Sequence, residues 1–161
     1  MTGPPRLAVA PPAPAQAHAT VVIAHGHDLM RRALRQLLGE AAGIEVLAET
    51  SDLASTARQL AEHTPDVLVI SRKLPDGSTL EFIRAAAGRT PRTGIVVVSV
   101  EDAPGFAQRA LEAGACGHVP VHLADLELAD AVMAAAHGAR YVSPSVARGL
   151  AEHAGRRLAA I

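Results

Sequence analysis

Five short aliphatic runs, each followed by a segment with helical spacing, constrain this chain more than any other feature. The runs are 20–24 (TVVIA), 44–48 (IEVLA), 66–70 (DVLVI), 94–99 (GIVVVS) and 116–121 (CGHVPV). Most are Val, Ile or Leu at consecutive rather than alternating positions. Strands of that kind are buried on both faces, as in a parallel sheet covered by helices. Between them, apolar residues recur three and four apart, as at Leu34, Leu37 and Leu38 or at Leu53, Ala57 and Leu60. The helical spacing predicts helices near 29–38, 52–62, 79–87, 104–113 and 125–137. Ser51 reads as the cap of the second, Asp28 as a cap or charge complement for the first, and Pro104 as the first-turn residue of the fourth.

Repeated β-α units with short loops and right-handed crossovers give an α/β three-layer sandwich. Five units suit the flavodoxin-like strand order 2-1-3-4-5, although periodicity alone does not derive that order. At 161 residues, 49% hydrophobic and 19% charged, the chain is long enough for one domain with a sizeable core. Aromatic residues make up 2%, so the core must be aliphatic. Residues 1–19 read as a flexible Pro/Ala-rich leader, 20–140 as the domain, and 141–161 as a C-terminal linker-like helix. In that helix Ser143 and Pro144 suit its start, and Val146, Leu150, Ala154 and Leu158 form an apolar stripe that needs something to pack against.

A net charge of −1 gives no bulk electrostatic case for nucleic acid. No apolar run approaches a bilayer-spanning length, and the N-terminus is a poor signal peptide. The single cysteine, Cys116, rules out an internal disulfide and reads as a small core residue. The expected location is the cytoplasm.

Chemistry in such folds sits where strands end. Here those ends read AHGHD (24–28), SRKLPDGS (71–78), Ser99, and HVPV (118–121). With PDVLVISRKLP (65–75), RALEAGACGH (109–118) and GARYVSPSVA (138–147), they resemble, in order and spacing, the receiver domain of bacterial response regulators of the NarL/LuxR type. The resemblance covers about residues 20–147. It implies a CheY-like fold and a signalling role in two-component phosphorelays. Such receivers accept a phosphoryl group on an aspartate after the third strand. Two acidic residues after the first strand help hold Mg²⁺, a lysine after the fifth pairs with the phosphoryl oxygens, and an aromatic residue on the fifth strand acts as a switch.

By that resemblance, His25 and Gly26 stand at the two acidic positions, Ser71 at the acceptor, Val121 at the lysine and His118 at the switch. Ser99 and Pro75 keep the family pattern, and His27 matches its ordinary histidine. The resemblance therefore implies a degenerate phosphorylation pocket, with no cofactor and with Mg²⁺ binding lost. Ser71 reads as a small polar replacement, because a serine without an activating base is a poor nucleophile. His25, His27, His118 and His122 come from the ends of the first and fifth strands, but their spacing does not make a metal site. Arg72 and Lys73, with Arg89 and Arg92, read as loop charges or as partners for an anion.

The expectation is a pseudo-receiver, not an enzyme. It would act in signal transduction or transcriptional regulation through phosphorylation-independent protein–protein contact, with a second copy, another response regulator or a different protein as partner. Ala107, Ala110, Leu111, Leu128, Val132 and Ala135 are its expected partner face. Two alternatives stand beside it. One is the receiver part of a NarL/LuxR-type DNA-binding regulator whose helix-turn-helix is absent from this chain. The other is a sensor that takes a small ligand or anion in the old pocket. No direct nucleic-acid binding and no membrane contact are expected.

Overall fold

The computed structural model describes residues 18–100 and 104–159. Twelve elements of regular structure follow one another: β1 (Ala19–Ala24), α1 (Asp28–Glu40), β2 (Ile44–Thr50), α2 (Leu53–His63), β3 (Val67–Ser71), α3 (Thr79–Arg89), β4 (Gly94–Ser99), α4 (Pro104–Ala113), β5 (Gly117–Pro120), α5 (Ala124–Ala136), β6 (Tyr141–Val142) and α6 (Pro144–Ala159). A short 3₁₀ turn, Val121–Leu123, joins β5 to α5. All pairings are parallel, and the sheet order is β2-β1-β3-β4-β5-β6. The five expected strands hold the expected order, and a sixth extends it. Segment 141–161 is thus not helix alone. Its first two residues pair with Gly117 and His118, and the Tyr141 amide donates to the Cys116 carbonyl at 2.8 Å. Glycine at 117 permits this, since a Cβ there would overlap the Tyr141 carbonyl oxygen. Ala19 already belongs to β1, and residues 1–17 of the expected leader lie outside the described residues.

Successive side chains of a strand point to opposite faces, and each sheet face builds its own core. Val67 and Val69 pack with Leu34, Leu38, Leu128 and Val132 under α1 and α5. Leu68 and Ile70 pack with Leu60, Ile83, Phe106 and Ala110 under α2, α3 and α4. Cys116 is half-buried and packs against the first of these cores.

The helix starts partly follow expectation. α1 begins at Asp28, which is its first-turn acid, as expected of a charge complement, and pairs with Arg31; the side-chain cap is His27, whose Nδ1 accepts from the Met30 amide at 3.4 Å. The α2 cap is Asp52, not Ser51, accepting from the Ser55 amide at 2.6 Å. A second carboxylate from far along the chain, Asp76, accepts from the Leu53 and Ala54 amides at 2.7 and 3.0 Å. Those bonds hold its pKa below the usual aspartate value and tie the loop after β3 to α2.

The expected partner face is also corrected. Ala107, Ala110, Leu128, Val132 and Ala135 are buried in the protein's own cores. The exposed sides of α4 and α5 carry other residues. Ala135 fits so closely that a Cβ on Gly94 would lie 2.6 Å from its carbonyl oxygen. Leu111 is half-buried and lines a groove of about 370 Å³ where α6 lies along α4, together with Leu150 and Ala154. The C-terminal helix therefore packs on the domain. Val146 is buried, whereas Leu158, at the outer end of the stripe, is 72% exposed.

Candidate functional site

The C-terminal ends of β1, β3 and β4 surround a cavity of about 470 Å³. From the end of β1 come His25, Gly26 and His27; from β3 and its loop, Ser71, Arg72 and Lys73; from β4, Val98, Ser99 and Val100. None of these described lining residues carries a carboxylate.

His25 is held at three points. Its amide donates to the Thr50 carbonyl at 3.0 Å, and its ring Nδ1 accepts from the His27 amide at 3.0 Å. Its carbonyl accepts from Arg31 Nη1 at 3.0 Å. Burial, then the charges of His27 and Arg31, lower its pKa below the usual histidine value. With Nδ1 accepting, the neutral ring carries its proton on Nε2. Gly26 leaves room: a Cβ there would meet Pro75 at 3.6 Å and Leu74 at 3.8 Å, ordinary contact distances.

Ser71 ends β3 and is 7% exposed. Its hydroxyl accepts from the Lys73 amide at 3.3 Å, and its carbonyl accepts from the Thr79 hydroxyl at 3.2 Å. Ser99 ends β4, and its hydroxyl lies 2.8 Å from His118 Nε2. His118 is fully enclosed and stands behind Ser99 rather than in the cavity. Its ring is tilted 60° against Phe106, centroid to centroid 6.3 Å. The Arg72 guanidinium lies 4.8 Å from the centroid of the Phe106 ring, a cation–π arrangement. Arg72, Phe106, His118 and Ser99 thus form one line of contacts that leaves the cavity rim, passes through the core and returns to the cavity wall.

His25, Gly26, Ser71 and Ser99 are therefore brought together. Val121 is not with them; it sits in the 3₁₀ turn and packs against the α1/α5 core. His122 is exposed on the same turn, away from His25 and His27. Among the described residues no group of three or more His, Cys, Asp or Glu is placed to hold a metal ion. Arg89 and Arg92 line a separate hollow at the opposite end of the sheet, with Asp66 and Thr93.

Arg31 and Phe106 did not stand out in the sequence. Arg31 bonds the His25 carbonyl and Asp28, the latter at 2.7 Å, and lies 3.9 Å from Glu49. That hydrogen bond and charge hold the Asp28 pKa below the usual value. The available signal was a cation one turn into the helix that follows the strand-end loop. Phe106, one of two phenylalanines, signals itself only by its rarity in an aliphatic chain.

Among the described residues no helix is long and apolar enough to cross a membrane. Residues 21–139 match the response regulator receiver domain. The chain is similar to the response regulator GacA of Pseudomonas aeruginosa, 31% identical over 134 residues, covering 81% of this chain and 61% of that protein. It is also similar to the probable transcriptional regulatory protein NarL of Mycobacterium tuberculosis, 27% identical, covering 88% of this chain and 65% of that one. A solved two-component response regulator of the LuxR family from Aurantimonas superposes with a TM-score of 0.80 at 30% identity, covering 84% of this chain and 97% of that one. The chain spans about three fifths of the length of the curated relatives it matches.

Proposed function

Because this chain belongs to the response regulator receiver family, we propose that it is an atypical receiver that signals by protein–protein contact without being phosphorylated. One observation carries the reading: the strand-end cavity presents His25, Gly26 and Ser71 where phosphoryl transfer to an aspartate needs carboxylates. Mg²⁺ is a hard cation that takes oxygen ligands, mostly carboxylate and water. The described lining residues offer imidazole, hydroxyl, guanidinium and ammonium groups, and this donor set does not suit it.

Ser71 does not restore the chemistry. A serine needs a base to accept its proton. The neighbouring His25 has its Nδ1 lone pair on the His27 amide and its proton on Nε2, so it meets the cavity as a donor. The Ser99–His118 bond fills the space behind the cavity and favours one conformation of β4 and β5. A second copy of the chain or another response regulator is the partner this reading implies, in signal transduction or transcriptional control.

A second reading rests on the coverage of the relatives. The chain spans 65% of a protein named as a probable transcriptional regulatory protein, so a DNA-binding part in a longer polypeptide is the alternative. A third reading, an anion held in the cavity, rests on Arg72 and Lys73 at its rim.

The test is the intact mass of the protein after incubation with acetyl phosphate and Mg²⁺. The proposal expects an unchanged mass. A phosphorylated species that is lost on substituting Ser71→Ala would overturn it.

A further inference from the structure

We propose that a second hollow, the arginine-lined groove across the β2 edge of the sheet, is a docking site for an extended, acidic polypeptide segment. The groove has a volume of about 810 Å³ and runs from α1 over the end of β2 to α2. Arg31, Arg32, Arg35 and Arg58 line it against a single carboxylate, Glu49. Four arginines against one carboxylate make this lining positive in a chain whose net charge is −1.

The arginines do different things. Arg31 is mostly covered, its side chain 19% exposed, and its donors are engaged with the His25 carbonyl and Asp28. It is part of the wall. Arg35, with its side chain 62% exposed, gives Nη1 to Glu49 at 2.5 Å and lines the groove. Arg32 is exposed one residue after Arg31. Arg58 stands on the other wall, anchored by Nη2 to the Ser55 hydroxyl at 3.1 Å. Glu49 thus orients one wall without neutralising the groove. Guanidinium forks match carboxylates in bidentate geometry.

The floor identifies the partner as a polypeptide. β2 is the edge strand of the sheet, with β1 on one side and no strand on the other among the described residues. An edge strand offers main-chain donors and acceptors that an added strand can pair with. α1 and α2 belong to the cores on opposite faces of the sheet. Side chains of an added strand would alternate between those faces. One set would meet Arg32 and Arg35, the other Arg58, so a run of consecutive acidic residues fits better than an alternating one. A second copy of this chain is a poor occupant, because pairing two copies of this edge would bring like charges together. A nucleic acid is disfavoured on different grounds: a sugar–phosphate backbone cannot pair with the main-chain donors and acceptors of the β2 edge as an added strand can.

The experiment is fluorescence anisotropy with a labelled peptide carrying a run of about eight glutamates, enough at ~3.3 Å per residue to follow β2. Wild-type protein, the double variant Arg32→Glu/Arg58→Glu, an alternately N-methylated peptide and a single-stranded oligonucleotide of equal charge complete the set. Binding should weaken with salt, fall by at least about tenfold in the double variant at low ionic strength, and fall on N-methylation. The melting temperature of the variant should stay close to wild type, because neither side chain is buried. Absence of wild-type binding at low salt, or equal binding by the variant, would overturn the site. Equal or tighter binding of the oligonucleotide would overturn the polypeptide partner, and undiminished binding of the N-methylated peptide would overturn strand addition.

Discussion

The two ends of the parallel sheet use buried polar residues in opposite ways. Where the strands begin, polar groups bond to one another and close the fold. Asp66 accepts from the Thr20 amide at 2.9 Å and from its hydroxyl at 3.0 Å; the Thr20 oxygen in turn accepts from the Asp66 amide. The Thr93 hydroxyl donates to the Pro65 carbonyl at 2.8 Å. Where the strands finish, His25, Ser71 and Ser99 stand around a cavity of about 470 Å³. The first arrangement ties β1, β3 and β4 together at their starts. The second leaves a hollow lined by imidazole, hydroxyl and cationic groups. The fold does not depend on what that hollow does, because its stability rests on the cores and on the opposite end of the sheet.

The comparison breaks most visibly at the beginning of β4. In Gly94→Val the added side chain would be driven against the Ala135 backbone, 2.6 Å from where its Cβ must sit. A loss of about 3 kcal/mol or more is expected by denaturant unfolding. Asp66→Ala should follow, at about 2 kcal/mol, because it leaves the Thr20 amide and hydroxyl without their acceptor. At the other end His118→Phe should cost only about 1 kcal/mol, since the ring is kept and the bond to Ser99 is lost. Equal costs for the last two substitutions would erase the distinction between the ends.

The smallest effect concerns pH. Folding lowers the pKa of His25 below its ordinary 6.5. As the pH falls through 6.5, the unfolded chain takes up a proton that the folded protein resists, so stability falls with it. Above that range both states hold a neutral ring and the effect vanishes. His25→Gln should therefore flatten the stability profile between neutral and mildly acidic pH. A profile parallel to wild type would mean that the ring is not shielded as described.

Much of this architecture was legible in the sequence because continuous Val/Ile/Leu runs have few uses other than a doubly covered parallel sheet. β6 was not, since two residues carry no periodicity and their pairing depends on Gly117 allowing close approach. Asp76 capping α2 from more than twenty residues away was invisible for the same reason: local pattern does not report distant bonds. At the site, four residues picked out by motif spacing line one cavity or its wall, whereas the side-chain packing of Val121, in the turn after β5, is set by the core beneath α1 and α5 and carries no local sequence signal. The partner face failed through direction. Apolar residues on α4 and α5 were read as available, and their burial against the sheet takes first claim on such residues. The charged groove across β2 was missed because its arginines come from two helices that only the fold brings together.

The central claim is that Mg²⁺ and a phosphodonor find no purchase at the strand ends and that β4 and β5 stay in one conformation. The most direct measurement is a pair of amide ¹H–¹⁵N NMR spectra of the protein, with and without Mg²⁺ and acetyl phosphate. The account predicts superimposable spectra, including the amides of Ser71, Ser99 and His118. Saturable shifts at those three residues would contradict it.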